Sequence, residues 1–225
     1  MMIFDGEPVA PFLSFASKYM KLQILYQDES LVALNKPHGL LSVPGIGDDK
    51  FDSVATRMQA QIPDAKIVHR LDCATSGVML MAVGIEAQRE LNRQFRDREV
   101  TKEYLAVVKG IVGEVHGVIT IPMRGDPDDR PRQLIDYQLG KNAVTEWTVI
   151  STESDRTRLL LKPVTGRTHQ LRVHCMGMGF PIVGDGLYNP EEDARADRMM
   201  LHAEKIEFNH PVSGQRMCMR AVCEF

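Results

Sequence analysis

Cysteine is scarce in this chain. It occurs four times in 225 residues, and no two cysteines form a C-x-x-C pair. The most closely spaced, Cys218 and Cys223, lack the second pair of ligands that a structural zinc site requires. We therefore expect the four cysteines to be reduced thiols that form no disulfides, as is usual inside the cell.

Long hydrophobic runs are missing as well. The longest, residues 76–85, is half of the roughly 20 residues that a membrane helix needs. The N-terminus carries Asp5 and Glu7 and no basic segment, so it does not resemble a signal peptide. We therefore expect a cytoplasmic protein that does not enter membranes.

Cofactor motifs are also absent from the sequence. There is no G-x-x-x-x-G-K-[ST] phosphate loop. The glycine-rich stretch 177–186 contains Pro181 and lies in the wrong context for a dinucleotide fingerprint. Ser76 lacks the flanking glycines of a nucleophile elbow. No nucleotide, flavin or metal cofactor is expected.

An excess of positive charge is the last missing feature. The chain has 27 basic and 30 acidic residues and a net charge of −3, which as a total does not favour nucleic acid as partner. The charges are segregated, however. Residues 156–184 include five Lys or Arg and no acid, whereas acids cluster at 126–129 and 191–193. Such segregation is what an RNA-facing surface requires.

The composition is typical of a globular protein, with 44% hydrophobic and 25% charged residues. We expect an N-terminal arm over residues 1–21 and a single domain over 22–225. The hydrophobic patterns predict helices at 51–62, 86–99 and 168–176, a polar loop at 124–132, and strands that outnumber the helices. A strand at 78–83 should be buried on both faces. Because strands and helices do not alternate, an α+β fold with a mixed, mostly antiparallel sheet and flanking helices is favoured.

Two segments carry groups with chemical potential. In VHRLDCATSG (68–77), Asp72 lies on a turn before the buried strand, where a carboxylate needs a cation or hydrogen-bond donors. In KPVTGRTHQLRVH (162–174), His169 and Arg172 are three residues apart and are expected on one helix face, where they can meet a phosphate. Purely structural alternatives remain open for both segments: a turn aspartate in the first and a solvated basic face in the second.

Together, these segments resemble the RluA family of RNA pseudouridine synthases. The matching pieces are LNKPHGLLSVPG, VHRLDCATSGVML, TKEYLAVVKG, LKPVTGRTHQLRVH, GFPIVGDGLY and LHAE. They extend from about Ile24 to the C-terminus. The resemblance implies the pseudouridine synthase fold with a central catalytic cleft and no S4 RNA-binding domain.

The resemblance also assigns roles to individual residues. Asp72 matches the catalytic aspartate, Arg172 the arginine that pairs with it, and Tyr104 the tyrosine that packs on the target base. Leu201 matches an apolar residue of the same pocket, and Arg70 an arginine that enters the RNA where the uridine is flipped out. The same motifs supply four further substrate-binding candidates: His69, Thr75, Arg167 and His169.

The implied reaction breaks the N1–C1′ bond of uridine, turns the base and forms a C5–C1′ bond. It is an intramolecular rearrangement, so no cofactor or metal is required. Asp72 can attack C1′, attack C6 or remove the C2′ proton, and the sequence leaves these routes open.

The resemblance is strongest to short members that act on a 23S rRNA hairpin loop and on tRNA anticodon stem-loops, as monomers without nucleotide cofactors. The departures at Cys73, at Phe180 and in the acidic loop 125–133 bear on the RNA target. Three alternatives remain: a single-target synthase, a non-catalytic RNA-binding homologue, and a glycoside or nucleoside hydrolase.

Overall fold

A hairpin opens the described part of the computed structural model, which covers residues 21–47, 50–190 and 196–225. Strands β1 (Gln23–Gln27) and β2 (Leu31–Lys36) pair antiparallel. Asp28 fixes the turn between them, because its Oδ1 accepts hydrogen bonds from the N–H groups of Ser30 and Leu31, both at 2.8 Å. The predicted arm over 1–21, apart from Lys21, and the acidic residues 191–193 lie outside the described residues.

The other elements follow in chain order. The strands are β3 (Ala65–Ile67), β4 (Ser76–Val83), β5 (Thr101–Lys109), β6 (His116–Thr120), β7 (Met123–Gly125), β8 (Gln133–Ile135), β9 (Val144–Glu153), β10 (Arg156–Pro163), β11 (Leu201–Asn209) and β12 (Arg216–Arg220). The helices are α1 (Val54–Gln59), α2 (Ile85–Arg96) and α3 (Gln170–Gly177). Within the described residues, no helix combines the length and apolar composition needed to cross a bilayer.

One large mixed sheet organises the fold. Eight strands follow in the order β1-β2-β4-β11-β5-β10-β9-β6, with β12 paired to β11 and β3 to β4. Among the described strands, β4 and β11 pair parallel and the other pairs are antiparallel. This confirms the predicted α+β class with a mixed, mostly antiparallel sheet.

Gly77 allows the close approach of β4 to β11. It has φ +115°, and a Cβ built there would lie 2.2 Å from the carbonyl oxygen of Ala203. A side chain at this position would therefore collide with the backbone of the neighbouring strand. The parallel pair joins the two halves of the sheet, so this glycine is required where they meet.

Strand β4 is buried on both faces, as predicted. Met79 and Met81 pack into the core that includes Met58 of α1. Val78 and Leu80 pack into the opposite core, which includes Leu91 of α2. Alternate residues of one strand thus contribute to two cores, which fixes the backbone immediately after Asp72.

Helix ends are set by local hydrogen bonds and charges. Ser53 caps α1 through a capping box with Thr56, so this helix begins later than the predicted residue 51. Helix α2 has Glu86 in its first turn and Arg93 and Arg96 in its last turn, which complements the helix dipole.

Two features were not predicted. The three-residue strand β3 lies along β4, and β7 and β8 form a hairpin that shortens the predicted polar loop to residues 126–132. An ion pair of 2.5 Å between Arg124 Nε and Asp136 Oδ2 stabilises the base of the hairpin. Strands of three residues are too short to show a hydrophobic period, so whether they form depends on the strands with which they pair.

Candidate active site

A cleft of about 890 Å³ opens between the loop before β4, the start of β5 and the segment that leads into α3. It brings together all nine residues that the sequence singled out. They are His69, Arg70, Asp72, Thr75, Tyr104, Arg167, His169, Arg172 and Leu201.

Asp72 lies in a loop whose backbone is tightly held. The Leu71 N–H donates to Ser42 Oγ at 3.0 Å, and the Ser42 hydroxyl donates to the Leu71 carbonyl at 2.6 Å. The N–H of Thr75 donates to the Asp72 carbonyl at 3.0 Å and closes the turn. The carboxylate itself remains partly exposed to the cleft, where it can reach a ligand.

Lys36 supports the same loop from below and was not identified from the sequence. Its Nζ donates to the carbonyls of Pro37, Leu40 and Cys73 at 2.9, 2.6 and 3.0 Å. The side chain is fully buried, and this burial lowers its pKa to about 8. The lysine thereby fixes the residue that follows Asp72.

Arg172 reaches Asp72, as the resemblance implies, but a second carboxylate holds it more closely. Its Nη1 lies 3.5 Å from Asp72 Oδ2. Its Nε and Nη2 donate to the two oxygens of Asp185 at 2.8 and 2.7 Å. Burial lowers the pKa of Arg172, but the hydrogen bonds and charge of Asp185 and the charge of Asp72 outweigh it, and the pKa is raised overall. The guanidinium therefore stays charged beside Asp72.

Asp185 is, with Lys36, a supporting residue that was not identified from the sequence. Its side chain is fully buried, and Oδ1 also accepts the N–H groups of Leu187 and Tyr188, both at 3.1 Å. Its sequence signal was available: it is the first acid after the acid-free stretch 156–184. Asp185 orients Arg172 without lining the cleft.

His169 precedes α3 instead of lying on it, which corrects the predicted shared helix face. It is the N-cap residue with φ +54°, and its Nε2 still lies 3.8 Å from Asp72 Oδ1. The Tyr188 hydroxyl accepts the N–H of Gln133 at 2.8 Å and can donate to His169 Nδ1 at 2.9 Å. Burial lowers the pKa of His169 despite the nearby Asp72, so the ring is neutral at pH 7.

Tyr104 and Leu201 form the apolar wall beside Asp72. They lie on the neighbouring strands β5 and β11, and Tyr104 packs against the core that includes Leu201. Burial and the charge of Asp72 raise the pKa of Tyr104, which keeps the phenol neutral. Tyr104 lines the cleft, so its ring is available for stacking with a planar group of a ligand.

Of the four remaining predicted residues, two belong to the wall of the cleft and two lie at its rim. His69 accepts the Leu80 N–H on Nε2 at 2.9 Å, and burial together with the charge of Lys102 lowers its pKa to about 3. Thr75 is buried in the turn. In contrast, Arg70 and Arg167 are exposed at the rim of the cleft, where they can contact a large ligand.

The cleft is electrostatically one-sided. Among its described lining residues Asp72 is the single acid. The cationic residues of the lining are Arg70, Arg96, Arg98, Lys102, Arg167 and Arg172. This suits a polyanionic ligand that brings its own negative charges. In the same described part of the chain, no group of three His, Cys, Asp or Glu side chains is placed to hold a metal ion.

Known proteins match this chain over most of its length. A family model described as RNA pseudouridylate synthase matches residues 30–176. The chain is 49% identical over 204 residues to the dual-specificity RNA pseudouridine synthase RluA of Yersinia pestis, covering 90% of this chain and 99% of that protein. It is 48% identical over 206 residues to RluA of Escherichia coli strain K12, covering 91% and 94%.

Solved structures show the same fold. Human RNA Pseudouridylate Synthase Domain Containing 1 superposes with a TM-score of 0.76 at 29% identity, covering 90% of this chain and 83% of that one. Human RNA Pseudouridylate Synthase Domain Containing 4 gives 0.73 at 25% identity, covering 89% and 88%. The family match, the two close relatives and the shared fold lead to one conclusion: this chain belongs to the RNA pseudouridylate synthase family.

Proposed function

We propose that this protein isomerises uridine to pseudouridine in structured RNA, with Asp72 as the catalytic group. The observation that carries the proposal is the position of Asp72: it is the single acid among the described lining residues of a cation-rich cleft, 3.5 Å from Arg172. Each route open to the reaction, at C1′, at C6 or at the C2′ proton, needs one carboxylate.

The target base must leave its stack to reach Asp72, which costs a few kcal/mol. Tyr104 offers a ring on which the flipped base can stack, a contact typically worth about 1–3 kcal/mol. Leu201 lines the apolar side of the cleft. For Arg70, which is exposed at the rim, we propose that its side chain occupies the space that the base leaves. His69, Thr75, Arg167 and His169 complete the substrate-binding set.

The same geometry argues against a glycoside or nucleoside hydrolase. Such enzymes use two carboxylates that flank the bond to be cleaved. The second nearby acid, Asp185, is fully buried and holds Arg172 with both oxygens, so it is not available to a substrate.

The test is tritium release from an RNA stem-loop that carries 5-tritiated uridine, since only the synthase labilises the C5 hydrogen. Wild-type protein should release tritium without forming free uracil, and Asp72→Asn should bind the RNA but release none. Glu114→Gln, an exposed carboxylate outside the cleft, is the matched control and should behave as wild type. Appreciable tritium release by Asp72→Asn would overturn the proposal. Formation of free uracil would favour the hydrolase. RNA binding without tritium release by the wild-type protein would favour the non-catalytic homologue.

We also propose that two classes of RNA are substrates, a 23S rRNA hairpin loop and tRNA anticodon stem-loops. The proposal is supported by the similarity to dual-specificity relatives over nine-tenths of the chain. It is also supported by the exposed arginines at the rim, which favour reading of local RNA shape. Pseudouridine mapping in RNA from a deletion strain, before and after complementation, should show loss and recovery in both classes. Recovery in one class alone would identify a single-target enzyme.

We propose that the protein is a monomer that acts in the cytoplasm without a cofactor. Two features support this proposal: the rearrangement is intramolecular and needs no co-reactant, and a single copy of the chain already forms a cleft lined by all nine candidate residues. Size measurement of the protein with and without a stem-loop RNA tests the first point.

A further inference from the structure

Lys102 lies in the cleft beside the surface proposed to stack the base. It is on β5, two residues before Tyr104, so both side chains leave the same face of the strand, and both line the cleft. Its ammonium lies against the segment that leads into α3, because a Cβ at Gly166 would be 3.7 Å from Lys102 Nζ.

This ammonium has no counter-ion within the described residues. The adjacent Glu103 lies on the other face of β5, where it pairs with Lys162 and Lys205, each at 3.1 Å. Asp72 is engaged by Arg172, whose Nη1 lies 3.5 Å from its Oδ2. Burial lowers the pKa of Lys102, and no neighbouring anion opposes the shift. An enclosed charge without compensation destabilises the free protein.

We propose that Lys102 binds a backbone phosphate of the RNA, next to the nucleotide whose base stacks on Tyr104. A phosphate supplies the missing negative charge, and lysine binds it as a compact point charge. Two residues of strand separate the two contacts by about 6–7 Å, which limits the phosphate to the immediate neighbourhood of the flipped nucleotide. The inference rests on the proposed function only in requiring that RNA enters this cleft.

The first test is the salt dependence of RNA binding. Lys102→Met, which retains most of the length of the side chain, is compared with Lys66→Met, which removes the same charge on β3, outside the cleft. Both are made in the Asp72→Asn background, so that the RNA is not converted during the measurement. Lys102→Met should weaken binding about tenfold and reduce the slope of log K against log salt by about 0.7. Lys66→Met should leave the slope unchanged.

The second test locates the phosphate. A set of stem-loops carries one neutral methylphosphonate at each linkage around the target uridine. At one linkage, the methylphosphonate should weaken RNA binding to the protein that retains Lys102. At the same linkage it should not weaken the binding of Lys102→Met any further, because that variant has already lost the contact. Additive losses at every linkage, together with an unchanged salt slope, would overturn the proposal.

The stability of the free protein separates this role from a structural one. Because Lys102→Met removes an uncompensated enclosed charge, its Tm without RNA should be higher than that of wild type. A lower Tm with unchanged RNA affinity would identify a structural lysine and refute phosphate binding. Tritium release by wild-type protein on the same RNA reports the proposed function separately, so normal release with failed Lys102 tests overturns this inference alone.

Discussion

Asp185→Asn tests whether the positioning of Arg172 depends on a carboxylate outside the cleft. The substitution conserves shape, and an amide oxygen at Oδ1 can still accept the N–H groups of Leu187 and Tyr188. It removes the negative charge that receives two hydrogen bonds from Arg172 at 2.8 and 2.7 Å. Both side chains are buried, with 8% and 0% exposure, so the charge of Arg172 would remain enclosed with the more distant Asp72.

The magnitude follows from this burial. Removing one partner of a buried ion pair costs about 3–5 kcal/mol, and the conserved acceptor for the backbone N–H groups places Asp185→Asn near the lower end. We therefore expect a loss of about 3 kcal/mol in the free energy of unfolding. Arg172 should also shift toward Asp72, and a displacement of about 1 Å in a catalytic group typically lowers the rate about 100-fold.

Urea unfolding followed by circular dichroism measures the first effect, and tritium release under single-turnover conditions measures the second. Asp136→Asn is a matched control, because Asp136 also accepts from an arginine and from two backbone N–H groups but lies in the β7–β8 hairpin region. The control should lose less stability than Asp185→Asn, because solvent screens the ion pair of Asp136, and it should keep its rate. An Asp185→Asn protein with wild-type stability and rate would show that other groups hold Arg172, and would refute the reasoning.

Two further predictions concern the supports of the catalytic loop. Gly77→Ala should lower the free energy of unfolding by more than about 3 kcal/mol, because its Cβ would lie 2.2 Å from the Ala203 carbonyl oxygen; thermal unfolding near the wild-type Tm would contradict this. Burial lowers the pKa of Lys36 to about 8, so its charged form disfavours the folded state below pH 8, and this effect is relieved as the pH rises toward 10.5. The unfolding free energy of wild type relative to Lys36→Met should therefore rise by up to about 3 kcal/mol between pH 8 and 10.5, and a constant difference across this range would refute the assignment.

The elements that could be predicted from sequence are those with strong local patterns. Strand β4 is a continuous apolar run, and α2 alternates apolar and charged residues at the helical period, so both were identified within a few residues. Strands β3, β7 and β8 are three residues long each. Their formation depends on partners distant in sequence, which no local pattern reveals.

The candidate site shows the same division. Short motifs contain the groups that line the cleft, so Asp72, Arg172 and Tyr104 could be chosen from the sequence. The residues that hold them, Lys36 and Asp185, act through contacts with segments 37 and 13 positions away. A lysine beside a proline carries no signal of such a role. The position of Asp185 directly after the acid-free stretch marks the residue but not its partner, because burial and pairing arise only once the strands are assembled.

These supporting contacts divide the polar residues of the site into two groups. Lys36, Asp185 and Arg172 satisfy one another or nearby carbonyls inside the protein, so they fix the geometry of Asp72 before RNA arrives. Arg70 and Lys102 have no carboxylate partner among the described residues, so their interactions are left for the RNA. The net charge of −3 is a sum over the whole chain, so it does not reveal that the cations of the second group are available to RNA. RNA binding should therefore be salt-sensitive through a few cleft cations, while the net negative charge of the rest of the chain limits nonspecific binding.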